Sequence, residues 1–401
     1  MLTLIFLLLV LLKGRTLPTF LGNLLVALLH PVYGGLALLS WAGGLRNARA
    51  ETLLVVQAFL VGLGFVLSAT GPFGLYLGVE LQSYALYTFT ALGALAGGSR
   101  TGGVVYFLAG SLASVLLLGG YALGTAPGTA ARGGALITAG LLVKAGTLPL
   151  GGWAVPVYRG LSPATGALVI TYPKAALFAA LGAVALAAPV GNALLAVGLL
   201  SALLGSLLGL AGEGLMAVLA LSGVAHAGYA VTALAGGSPA DALFYAVQYA
   251  GTTSAFLRLA ASGLLGSGLG EPVLRSLAGL GRLGLAAPLP LAAVYLLLLS
   301  FGGIPPLVGF YAKAAVLFSL WGAGASAALP AVVLAASLGR AFYLWLLARV
   351  GFGPLGRAPL RSAGSASPLP PTGAPVAFAT ALVLTLALGW PYAAAAVHHL
   401  L

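Results

Sequence analysis

Residues 140–178 read GLLVKAGTLPLGGWAVPVYRGLSPATGALVITYPKAALF. Two lysines, Lys144 and Lys174, stand deep in apolar runs. Placing a lysine at the middle of a bilayer costs about 2.5 kcal/mol or more, and nothing in the packing of an apolar helix asks for that cost twice. Pro149 follows closely after Lys144. A proline has no amide hydrogen to give and its ring clashes with the preceding turn, so a helix through Lys144 breaks there. A broken helix beside a buried ion is how membrane proteins build ion sites.

The rest of the chain agrees with a membrane setting. Of 401 residues, 61% are hydrophobic and 5% charged, too apolar for a soluble globule. Runs of about 20 apolar residues recur along its length. Glycine is abundant, at 60 residues, which suits close helix packing in lipid. The net charge of +12 does not point to nucleic acid, because the basic residues are scattered singly between apolar runs without forming a patch. There is no cysteine, so thiolate metal sites and disulfides are excluded. The N-terminus, MLTLIFLLLVLLKGR, is apolar first and basic afterwards, the reverse of a secretory signal.

Spans are expected at 17–43, 52–70, 73–96, 103–124, 135–157, 163–188, 190–211, 215–236, 241–265, 286–320, 327–349 and 374–395, with Met1–Leu12 as a truncated or interfacial thirteenth. His30-Pro31 reads as a kink in the first of these. The run 286–320 is too long for one straight crossing, and Pro305-Pro306 must divide it. Residues 351–371 read as a flexible linker rich in Pro, Ser and Gly. Counting Met1–Leu12 as a span, odd-numbered loops hold Lys13, Arg15 and Arg132. Even-numbered loops hold Arg46, Arg49, Arg100, Arg159, Arg275, Arg282, Arg349, Arg357 and Arg361. This asymmetry puts the even loops, Arg159 among them, on the negative side of the membrane. Lys144 and Lys313 lie five spans apart, an odd offset that reverses helix direction, as an inverted repeat requires.

Four ionisable residues sit well inside spans: Glu80, Lys144, Lys174 and Lys313. Each could be structural, as an ion pair or a snorkelling side chain, but burying all four for packing alone is costly. Desolvation disfavours the ammonium form, and a nearby carboxylate restores it, so a lysine near Glu80 is a proton site that geometry can load and unload. His226, in LSGVAHAGY, is a candidate relay between lysines. Arg258, Arg340 and Asp241 read as anchors near span ends. No metal-ligand cluster or cofactor motif appears, and GSGLGE at Gly266–Glu271 lacks the preceding strand of a dinucleotide fingerprint.

Five stretches carry a resemblance: LGVELQSYALY (Leu77–Tyr87), VYFLAGSLASVLLLGG (Val105–Gly120), GLLVKAGTLPLGGW (Gly140–Trp153), LSGVAHAGY (Leu221–Tyr229) and SFGGIPPLVGFYAK (Ser300–Lys313). In this order they resemble the antiporter-like membrane subunits of respiratory complex I, subunit 2 most of all. The resemblance implies an all-α polytopic bundle of 12–13 helices, with two inverted five-helix repeats, each holding a broken helix. Its implied organisation is a single membrane domain: truncated N-terminal helices at 1–50, repeats at 51–188 and 190–350, and a linker with a final helix at 351–401. It implies proton translocation coupled to quinone reduction elsewhere in the complex. Glu80 then matches the switching glutamate, Lys144 the broken-helix lysine, Lys174 the connecting lysine and Lys313 the distal lysine. NAD, FMN, iron–sulfur clusters and ubiquinone are implied in other subunits, none in this chain. The implied partners are the sister subunit 4, the small subunits leading to the quinone site, and lipid. Lys313 argues against subunit 4, which usually has glutamate there, and the end at Leu401 against subunit 5, which carries a long lateral helix.

The chain departs from the family where a histidine and an acid often follow the first break: it has Pro149-Leu150-Gly151 and Trp153-Ala154-Val155-Pro156, and Met216-Ala217 replaces a basic pair. The short stretch before Glu80 resembles mitochondrial versions, which implies the mitochondrial inner membrane; the alternative is a bacterial plasma membrane. Two other functions stay open at this point, a stand-alone cation/proton antiporter of the related multisubunit type and an inert scaffold for the membrane arm.

Overall fold

The computed structural model describes residues 50–69, 71–95, 100–185, 190–212, 215–260 and 288–352. The expected spans at 17–43 and 374–395, the run Met1–Leu12 and His30 lie outside these residues. In lipid every backbone polar group must find a partner within the chain, and a helix does this with its own carbonyls. The described residues are accordingly helical. In order they form α1 (Ala50–Ser68), α2 (Pro72–Leu95), α3 (Arg100–Gly124), α4 (Ala130–Ala145), α5 (Ala154–Arg159), α6 (Pro163–Val169), α7 (Tyr172–Ala185), α8 (Gly191–Gly209), α9 (Leu215–Ala235), α10 (Pro239–Leu259), α11 (Pro288–Gly302), α12 (Val308–Gly322) and α13 (Leu329–Phe352). Pro163 and Pro239 open their helices behind serine caps. Ser162 accepts from the Thr165 amide at 3.2 Å and Ser238 from the Asp241 amide at 3.3 Å. Proline is harmless there, since the first amides have no intrahelical partner.

Every span expected within the described residues is helical. Six stretches are long and apolar enough to cross a membrane unaided: Thr101–Gly124, Ala130–Arg159, Thr165–Ala185, Gly191–Gly209, Leu215–Ala235 and Ser326–Ala348. The expected crossing at 286–320 is two apolar half-helices, Ala292–Gly302 and Val308–Gly322. The span 163–188 is interrupted between α6 and α7, which the sequence reading did not expect. Pro173 has no amide to offer Val169, so the backbone ladder fails one turn before Lys174.

The helices fall into two groups of five crossings with matching neighbours. In the first, α1 packs on α2 and α3 on the broken α4–α5 crossing. In the second, α8 packs on α9 and α10 on the broken α11–α12 crossing. Glycines seat both leading pairs. A Cβ on Gly78 would stand 2.6 Å from the Val66 amide nitrogen, and one on Gly228 only 2.6 Å from the Gly198 carbonyl oxygen. Such approaches are closer than any side chain allows, and they are the usual means by which membrane helices make contact.

The two breaks open with the same closing turn. GTLPLGG at 146–152 aligns with GIPPLVG at 303–309. Gly146 (φ 77°) and Gly303 (φ 72°) each take the left-handed conformation that favours glycine. Gly146 donates to the Val143 carbonyl at 3.0 Å and Thr147 to Leu142 at 3.2 Å; Gly303 donates to Ser300 at 3.0 Å and Ile304 to Leu299 at 3.1 Å. Both are Schellman closures, which satisfy carbonyls the helix end would leave free. The glycines that follow are used differently: Gly151 presses on the Gly146 carbonyl and aligns with Val308, whereas Gly309 presses on the Ser300 carbonyl and aligns with Gly152, which meets nothing within 4 Å. Lys144 therefore aligns with Phe301 and lies before its break, whereas Lys313 lies after its own. As side-chain positions the two lysines are not repeat equivalents.

Candidate functional site

At the first break the same two carbonyls take a second bond from neutral side chains: Thr147 Oγ1 donates to Leu142 at 2.9 Å and Trp153 Nε1 to Val143 at 2.9 Å. The Leu148 amide donates to Ser201 Oγ of α8 at 2.9 Å, tying this break to the second repeat. Lys144 occupies the last turn of α4, the negative end of the helix dipole. Its Nζ lies 3.1 Å from Glu80 Oε1 and donates to Ser83 Oγ at 2.8 Å. Ser114 of α3 donates to the same carboxylate oxygen at 2.5 Å. The pair is buried, so each charge depends on the other.

Lys174, in the first turn of α7, is 5% exposed. It donates to the Gly223 carbonyl of α9 at 2.8 Å and lies 5.4 Å from the centroid of the Tyr249 ring. No carboxylate pairs with it among the described residues. Gly223 makes the meeting possible: a Cβ there would stand 2.9 Å from Lys174 Nζ and 3.0 Å from the Tyr249 hydroxyl.

His226 is caged by phenols. Tyr249 stacks on it with ring centroids 4.5 Å apart, Tyr245 OH lies 2.9 Å from Nδ1, and Tyr343 OH lies 3.3 Å from Nε2. Tyr343 also hydrogen-bonds Ser222. A neutral imidazole offers one donor and one acceptor, whereas a hydroxyl serves as either. The chain Tyr245–His226–Tyr343–Ser222 is therefore satisfied with its hydrogens running in either direction.

Lys313 is 7% exposed. Its side chain doubles back along the second break and donates to the Phe301 carbonyl at 3.0 Å and the Gly302 carbonyl at 3.1 Å, with Tyr229 at 5.6 Å. Phe301 is the position that aligns with Lys144. Both ammonium groups thus sit at the C-terminal, negative end of the first half of a broken helix, one from that helix and one reaching back from its continuation.

The expected residues Glu80, Lys144, Lys174, His226 and Lys313 lie in order along the interior. Two cavities, each large enough for about one water molecule, fall at the gaps. One is lined by Gln82, Ser83, Lys144 and Pro173, the other by Ser222, His226, Tyr229, Lys313 and Tyr343. Gln82 Nε2 has no protein hydrogen-bond partner among the described residues and faces the first cavity, where a water would satisfy it.

Ser83, Ser114, Ser222, Tyr245, Tyr249 and Tyr343 were not singled out from the sequence. One signal was there: Ser222, His226 and Tyr229 recur at i, i+4 and i+7, and Tyr245 and Tyr249 at i and i+4, on otherwise apolar helices. Asp241 and Arg258 lie near the ends of α10 as expected. Arg340 does not: it stands near the middle of α13 and is exposed. The expected span 327–349 already enclosed Arg340, and the helix runs through it from Leu329 to Phe352.

Residues 123–339 match the family described as NADH:quinone oxidoreductase/Mrp antiporter, transmembrane. The chain is 30% identical over 337 residues to NADH-quinone oxidoreductase subunit N of Rhodobacter capsulatus, covering 76% of this chain and 69% of that one. It is 33% identical over 295 residues to NADH-ubiquinone oxidoreductase chain 2 of Metridium senile, covering 66% and 74%. Among solved structures, a chain of respiratory complex I from Thermus thermophilus with bound aureothin superposes with a TM-score of 0.76 at 29% identity, over 97% of this chain and 89% of that one.

Proposed function

We propose, on the premise that this chain belongs to the NADH:quinone oxidoreductase/Mrp antiporter family and within it to the subunit N (chain 2) branch, that its buried line Glu80–Lys144–Lys174–His226–Lys313 carries protons. The chain is a proton-translocating membrane-arm subunit of NADH:quinone oxidoreductase, a multi-pass protein of a respiratory membrane. It contributes to an enzyme whose redox chemistry takes place in other subunits, which hold NAD, FMN, iron–sulfur clusters and ubiquinone. The repeats run over 51–188 and 190–350, and the finer partners are subunit 4 and the small subunits leading to the quinone site. The mitochondrial inner membrane, in preference to a bacterial plasma membrane, rests on the sequence resemblance; fractionation of the source cell tests it, and recovery with a bacterial plasma membrane overturns it.

The single observation that carries this reading is the line itself: one acid, three lysines and a histidine buried along one interior path. With Glu80 closed on Lys144, the carboxylate supports the ammonium. With Glu80 withdrawn, the ammonium loses its counter-charge in a medium of low dielectric, and giving up the proton becomes favourable. Lys174 receives it with only a carbonyl and a ring for support and passes it on. At His226 the hydroxyl chain reverses as a proton enters at one end and leaves at the other, toward Lys313.

Lys174→Met in the assembled complex tests the reading. Because no carboxylate pairs with Lys174 among the described residues, removing its charge strands no counter-charge there, and assembly should survive. Protons moved per electron pair should then fall while the complex remains intact on a native gel. An unchanged ratio in intact complex removes Lys174 from the path. The antiporter reading makes a different demand, sodium-dependent flux from the chain reconstituted alone without quinone.

A further inference from the structure

The Lys144 ammonium has three hydrogens to donate, and two of their directions are settled. One faces Glu80 Oε1 at 3.1 Å and one Ser83 Oγ at 2.8 Å. Neither leads onward to Lys174. The Ser83 hydroxyl donates its own hydrogen to the Val79 carbonyl, 2.6 Å away in the same helix. The Glu80 oxygen also takes the Ser114 hydroxyl at 2.5 Å, and Ser114 turns otherwise to the Gly110 carbonyl of its own helix at 2.8 Å. The direction left to the third hydrogen is the cavity that Lys144 lines together with Gln82 and Pro173.

Gln82 is 2% exposed, and its Nε2 has no hydrogen-bond partner among the described residues. An amide buried in that way is costly, and the cavity beside it has room for one water. The backbone of Gln82 is seated firmly: a Cβ on Gly62 of α1 would stand 2.5 Å from the Gln82 amide nitrogen. Aromatic rings close another part of the wall. Tyr106 stacks on Trp153 with centroids 5.0 Å apart and meets Tyr87 edge-on at 4.9 Å. On α7 the wall is Pro173 and Leu177, and Pro173 adjoins Lys174, the next ionisable group of the line. A water that accepts from both Lys144 and Gln82 Nε2 has its two lone pairs engaged by donors. Its own hydrogens then point away from Lys144. From that orientation a water can take one proton and hand on another.

We propose that Gln82 is a positioning residue that holds such a water in this cavity and so directs the Lys144 proton toward Lys174. In the step, an N–H bond of the Lys144 ammonium breaks as an O–H bond forms on the water. One of the water's original O–H bonds breaks as its proton passes to the neutral Lys174 amine, turned from the Gly223 carbonyl toward Pro173. Lys144 is left as an amine, and the water is regenerated. The proposal deepens the translocation reading and rests on it. An electron-microscopy map of the assembled wild-type complex, at a resolution that shows waters, is the first test and needs no variant to fold. A water within about 3.2 Å of both the Gln82 side-chain nitrogen and Lys144 Nζ is expected; a map without it overturns the proposal. Two variants separate the amide from packing. Gln82→Met keeps most of the length and loses the amide, whereas Gln82→Asn keeps the amide on a shorter stem. Proton translocation into vesicles, per intact complex on a native gel, should slow about tenfold or more in Gln82→Met, and Gln82→Asn should retain most of it. The reverse order, or a wild-type rate in Gln82→Met, overturns the proposal. Lys174→Met measured beside them tells the two readings apart. Slowed translocation there with a wild-type rate in Gln82→Met removes only the role of Gln82. Wild-type rates in both remove translocation along this line, and this proposal with it.

Discussion

Glu80 and Lys144 show what a buried pair costs when half of it is removed. Each single change to alanine strands a charge and should destabilise the chain by about 3–5 kcal/mol. The double change strands none, so it should cost clearly less than the sum, as measured by thermal unfolding of the purified protein. Additive losses would show that the two charges do not support one another. Tyr343→Phe removes the hydroxyl shared by His226 and Ser222 while keeping the ring that stacks on Phe301 with centroids 5.3 Å apart. Proton transfer should slow by about tenfold or more with assembly unchanged; wild-type pumping would place Tyr343 outside the relay. The charged residues of this site were legible in the sequence, because burying charge in an apolar run has no other ready explanation. The serines were not, because a short hydroxyl in a membrane helix can satisfy itself on its own backbone, as Thr90 does on the Leu86 carbonyl at 2.8 Å, and the tyrosines were not, because an aromatic ring in an apolar helix reads as packing.

At the scale of elements, glycine seams set the distance between helices. Gly228→Ala drives a Cβ against the Gly198 backbone, which cannot yield by a rotamer change, and should cost about 1–3 kcal/mol. Gly64→Ala meets nothing within 4 Å and should be close to neutral in the same unfolding assay. The breaks at Pro149 and Pro305-Pro306 were predictable, since proline removes a ladder bond in any helix. The interruption before Lys174 was not, because Pro173 followed so soon after Pro163 that one continuous span with an N-terminal proline fitted equally well. The correspondence of GTLPLGG with GIPPLVG was hidden for a related reason: two glycines, a proline and a leucine are all that the stretches share, and the lysines that draw the eye lie on opposite sides of the two breaks.

For the whole molecule, the loop charges set an orientation that the fold leaves testable. Arg159 ends α5 and is exposed. The chain has no cysteine, so Arg159→Cys introduces the one thiol a membrane-impermeant reagent can find. Labelling is expected from the negative side of intact membranes, and labelling only from the other side would reverse the orientation. The central claim is that the buried line is a route for protons and not a frame for packing. Lys313→Met in the assembled complex tests it most directly, because methionine keeps much of the length of the side chain and removes the charge at the end of the line. The measurement is protons translocated per electron pair in vesicles, beside a native-gel check that the complex is whole. The account predicts a lowered ratio in intact complex; a wild-type ratio in intact complex contradicts it.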